Sequence, residues 1–169
     1  MLPSIKEILY ATDLSKNSAF AFRYAVKLAN VLDAKITILY ILPMMDSAME
    51  VPIIVQMGEA EYNKLREEKT KEFIEKIEER IRDFSEKDLK DGQSEEERVS
   101  SILVYEGDAV DEILKTAEKL DSDIIILGAH GKGILTHTFL GTVPQKVLRR
   151  SRRPVLVVPI PKDATDIDL

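Results

Sequence analysis

Apolar residues gather into five runs of strand length, Ile5 to Ala11, Lys35 to Leu42, Val99 to Tyr105, Asp123 to Leu127 and Val155 to Val158. The runs are near-continuous Ile, Val and Leu, without the in-and-out alternation of a half-exposed sheet. That pattern belongs to strands covered on both faces and predicts a parallel sheet. Between the runs the period lengthens to that of a helix. Phe22, Ala25, Val26, Ala29 and Leu32 share one face of a first helix, which Ser15 is placed to cap. A long second helix is predicted from Glu59 to Lys87, with Ile74, Ile77, Ile81 and Phe84 on one stripe and a solvated charged face around it. A third starts at Asp108, with Asp111 in the N3 position of a capping-box-like pair and Val110, Ile113, Leu114 and Ala117 inward. A fourth begins near Thr142, with Pro144 in its first turn.

Strand and helix alternate four times and a strand closes the series. Right-handed crossovers then give an α/β fold, a doubly wound five-stranded parallel sheet with helices on both faces. Residues 1–160 are expected to form a single domain, and the acidic stretch 161–169 a disordered tail. The connection from Pro43 to Gly58 is long and apolar, carrying Met44, Met45, Met49, Ile53 and Ile54. It reads as a lid or partner surface, or as a segment packed in part against the core.

Composition narrows the functions. At 169 residues the chain has the size of one domain. With 30 acidic and 24 basic residues it carries a net charge of −6, which disfavours nucleic acid and anionic lipid over most of its surface. The basic cluster Arg149-Arg150-Ser151-Arg152-Arg153 is explained by a helix C-terminus and has no aromatic partners for base stacking. Cys is absent, which excludes disulfides and thiolate sites and fits a reducing, cytoplasmic setting. The start of the chain lacks a signal-peptide pattern, and no run of about 18 apolar residues suggests a membrane span. Two histidines, His130 and His137, do not assemble a zinc set, and no nucleophile and base form a recognisable catalytic arrangement.

Ligands of open parallel sheets settle beyond the carboxyl ends of the strands, where crossovers diverge. Two segments there are unusual: Ala11-Thr12-Asp13 after the first strand, and Gly128-Ala129-His130-Gly131-Lys132-Gly133 after the fourth. The second continues to Gly141-Thr142 in the spacing Gly-x2-Gly-x9-Gly-Thr. Its glycines let backbone N–H groups approach an anion, and Thr142 adds a hydroxyl at the positive end of a helix. The segment is neither a Walker loop nor a Rossmann fingerprint, because Ile134, Leu135 and Thr136 stand where those motifs need other residues. Taken singly, Asp13 reads equally well as a turn residue and the glycines as a tight strand exit.

The spacing is similar to the ATP-binding signature of the universal stress protein family, and the resemblance covers nearly the whole chain. Ile8 to Asp13, Gly107 to Asp123 and Pro154 to Val158 resemble that family's first strand, third helix region and last strand. The resemblance implies the strand order 3-2-1-4-5, which sets the first and fourth strands side by side. It also implies that Asp13 bonds the ribose or adenine and that Ile41 meets the base through its backbone. Gly128, His130, Gly131, Gly141, Thr142 and Val143 would surround the phosphates, with Ala11, Thr12 and Ala129 lining the same site. Ala11 and Ala129 replace residues that are often Pro and Ser in the family, so one hydroxyl contact is absent.

The expected ligand is ATP, or AMP or ADP, with Mg carried by the triphosphate. The expected role is a stress-response regulatory module, homodimeric through Val155, Leu156, Val157 and Val158. A weak ATPase or nucleotidyl-transfer enzyme, and a dimeric interaction module without nucleotide, are the alternatives.

Overall fold

The computed structural model describes residues 4–44, 47–88, 98–129 and 140–159. Within them the strands are β1 (Glu7–Thr12), β2 (Lys35–Leu42), β3 (Val99–Glu106), β4 (Ile124–Gly128) and β5 (Val155–Val158). The helices are α1 (Lys16–Leu32), α2 (Ser47–Met57), α3 (Glu59–Asp88), α4 (Ala109–Lys119) and α5 (Thr142–Arg150). The strands form one sheet in the order β3-β2-β1-β4-β5, and every pairing is parallel. This is the arrangement expected from the sequence.

The apolar strands lack alternation because both of their faces are buried. Ile8, Tyr10, Ile36, Ile38, Tyr40 and Ile126 point to a core shared with α1 and α3. Their neighbours Leu9, Ala11, Leu39, Ile125 and Leu127 point to a second core against α4 and α5. Each full burial of such a side chain contributes roughly 1.5–3 kcal/mol.

Caps fix where the crossovers begin. The Ser15 hydroxyl accepts from Ser18 N at 3.2 Å and starts α1. The Asp108 carboxylate accepts from Val110 N and Asp111 N, both at 3.0 Å, and starts α4. The Asp111 carboxylate takes the Arg150 guanidinium of α5 at 2.7 Å. Capping at this end thus combines with a link between helices.

The sequence reading had no helix between Pro43 and Gly58, but α2 forms there. Its apolar residues do not enter the core: Val55 is 80% and Met49 67% exposed, and Ile53 and Ile54 are half-buried. The helix is apolar all round, so no stripe announced it, and Pro52 within it supplies no N–H to its ladder. Gly58, at φ +88°, reverses the chain into α3, a conformation glycine adopts without steric cost. On α3, Ile77 is buried, and Phe73 reaches the core beside it. Ile81 and Phe84 of the expected stripe lie outside the described side chains.

Candidate functional site

β1 and β4 are neighbours, with Ala11 opposite Leu127, so the segments that follow them emerge side by side. On the β1 side, Ala11 and Thr12 are buried and Asp13 is half-buried. Thr12 Oγ1 donates to Ser18 Oγ at 3.0 Å and accepts from Leu14 N at 3.0 Å. Asp13 Oδ1 accepts from Ser15 N at 2.9 Å, an Asx-type turn that sets its carboxylate at the strand end. Leu14 takes the left-handed conformation at φ +59°. Its carbonyl accepts from Arg80 of α3 at 2.7 Å.

On the β4 side, Gly128 pairs with Val158, and Ala129 N donates to Val158 O at 2.8 Å. The Ala129 carbonyl then accepts from Gly141 N at 2.8 Å. One hydrogen bond therefore sets the start of α5 at the end of β4. His130 and Gly131, expected at the phosphates, lie outside the described residues.

Gly141 is the N-cap of α5 and contributes no side-chain hydrogen bond there. Pro144 has no N–H, so the donors of the opening turn are those of Thr142 and Val143. Thr142 is exposed and Val143 half-buried. The positive end of the helix dipole is consequently presented to the strand ends without an acidic residue in its first turn.

Ile41 lies one residue beyond the last β1–β2 pair, Thr12 with Tyr40, and pairs on its other side with Tyr105 of β3. Its backbone is thus at the open end of the sheet, where β1 has already turned away. Burial pushes the Tyr40 phenol up, and the Asp13 carboxylate pushes it further while Lys76 opposes both. Burial likewise raises Tyr10, whose hydroxyl donates to Ser18 O. Both phenols stay neutral at physiological pH, so the negative charge contributed at the β1 end is that of Asp13.

The arrangement offers a carboxylate to hydroxyl or amine donors and, beside it, a helix N-terminus to anions. Among the described residues no three His, Cys, Asp or Glu side chains converge as a metal set would. No described helix is long and apolar enough to cross a membrane. The basic cluster at the end of α5 is engaged with α4 and the turn that follows it: Arg150 pairs with Asp111, Arg153 with Asp121 at 2.6 Å and Arg152 with Glu118 at 3.9 Å. Arg80 and Tyr40 were not singled out from the sequence. A stacking partner for Tyr40 on α3, Phe73 at 4.8 Å, emerges from the fold alone.

The model of the universal stress protein family matches residues 4–159. The chain is 31% identical over 153 residues to universal stress protein MJ0577 of Methanocaldococcus jannaschii, covering 90% of this chain and 94% of that one. The solved structure of MJ0577 superposes with a TM-score of 0.71 at 27% identity, covering 94% of this chain and 99% of its own. The universal stress protein UspA of Lactobacillus plantarum has a TM-score of 0.66 at 19% identity, covering 93% and 99%. A universal stress protein solved in complex with cAMP has a TM-score of 0.53 at 21% identity, covering 93% and 98%. The latter two share the fold.

Proposed function

The chain belongs to the universal stress protein family, and on that premise we propose that it binds an adenine nucleotide at the carboxyl ends of β1 and β4. The nucleotide is ATP, with ADP and AMP as its relatives, and the protein acts as a nucleotide-dependent regulatory module in the cytoplasm. The observation that carries this reading is the bond from Gly141 N to Ala129 O, which holds the start of α5 against the strand ends beside Asp13. A phosphate chain suits the Thr142 and Val143 N–H groups and the Thr142 hydroxyl, with Gly128, Ala129, His130, Gly131 and Gly141 around it. The Asp13 carboxylate accepts from ribose hydroxyls, and the Ile41 backbone meets the base edge. Ala11 and Thr12 form the floor. Magnesium arrives with the triphosphate and is held by its oxygens.

Two copies join through the edge strand β5. Val155, Leu156 and Val157 are half-exposed, and β5 pairs with β4 alone among the described strands. An edge of this kind supports two-fold antiparallel pairing.

Mass spectrometry of small molecules released from the denatured, purified protein tests the nucleotide reading. About one adenine nucleotide per chain is expected. Titration of the stripped protein with ATP, ADP, AMP and cAMP then ranks the ligands. Absence of any adenine nucleotide in the first experiment and of any binding in the second would end this reading.

A further inference from the structure

We infer that Arg80, on α3, is a positioning residue for Asp13, clamping the turn that carries this carboxylate to the strand ends. The inference rests on the nucleotide reading above and adds a residue to it. The turn needs holding. Leu14 at φ +59° is a branched residue in the left-handed region, a conformation that costs about 1–2 kcal/mol. The bond from Ser15 N to Asp13 Oδ1 lies within the turn, and that from Leu14 N to Thr12 Oγ1 ties it only to the end of its own strand. The Arg80 bond to the Leu14 carbonyl spans 66 residues and fixes the turn to a separate element.

That element is well placed to act as an anchor. Arg66, Phe73 and Arg80 recur at intervals of seven residues and so share one face of α3. Arg66 bonds Glu106 at the end of β3. Phe73 stacks on Tyr40 near the end of β2. Arg80 reaches the turn after β1. The helix thus touches three neighbouring strand ends in succession, and the first two contacts set where the third falls. The Asp13 carboxylate raises the Tyr10 phenol and the Arg80 guanidinium lowers it, both less than burial does.

Arg80→Met keeps the aliphatic stem and removes the donors. The expected result is a roughly tenfold loss of affinity for ATP and for AMP alike, as befits one charge-assisted hydrogen bond. The factor is the same for both ligands because Asp13 addresses the nucleoside end. Arg80→Lys recovers part of the loss, since an ammonium still reaches one carbonyl. In an Asp13→Ala background, Arg80→Met has no further effect. The assignment is overturned if Arg80→Met binds as the wild type does, or loses affinity equally with and without Asp13. A wild-type protein that binds no adenine nucleotide removes the underlying reading and this assignment together, and the wild-type titration alone identifies that case.

Discussion

Asp123 shows how one carboxylate sets the middle of the sheet. Its Oδ2 accepts from Lys6 N at 2.7 Å and Glu7 N at 2.9 Å, joining the start of β4 to the start of β1. These N–H groups hold the carboxyl below its ordinary value. The native pKa is lowered, so the stabilisation is fully present above the unfolded carboxylate value and is lost as pH falls through the native one. Asp123→Ala is expected to cost about 1.5–3 kcal/mol in urea unfolding at pH 7, with the gap from wild type narrowing in acid. Thr142→Ala is expected to weaken ATP by about 0.5–3 kcal/mol and adenosine hardly at all, as read by calorimetric titration. Asp13, Gly141 and Thr142 were singled out as candidates because Asp13 follows the first strand and the other two close a Gly-x2-Gly-x9-Gly-Thr spacing. Arg80 was not, because in a helix crowded with Glu, Lys and Arg a clamping guanidinium looks like its solvated neighbours.

Among the elements, α2 and its junction with α3 separate backbone effects from packing. A Cβ built on Gly58 meets open space, so Gly58→Ala adds conformational strain without a clash. Its expected cost is about 1 kcal/mol in thermal unfolding. Val55→Lys is expected to leave stability within about 0.5 kcal/mol, because the side chain is already 80% exposed. The strands were legible as continuous apolar runs because both of their faces are buried, α1, α3 and α4 from a helical period, and α5 from the Thr142 and Pro144 at its start. For α2 periodicity had nothing to detect. The helix is tied down by a polar bond, Tyr62 to Glu50 at 2.9 Å, and that partner lies in the next helix.

For the whole molecule, the sheet order was legible through the resemblance. Alternation of strand and helix alone left the order of the strands open. That order leaves β5 at an edge, where the proposed dimer pairing would form. Val157→Lys is expected to halve the mass seen by light scattering while circular dichroism stays unchanged. A wild-type protein of one-chain mass at high micromolar concentration would end the dimer reading. The β1–β4 pair has a consequence for biosynthesis. The Asp123 bonds join residues 116 and 117 positions apart, so β1 is translated long before the β4 strand that pairs with it. Asp13 leaves the ribosome early and Gly141 late, so the two sides of the candidate site are made far apart in time. Transcripts broken ahead of β4 therefore yield chains that carry Asp13 without the α5 start that faces it on the proposed reading.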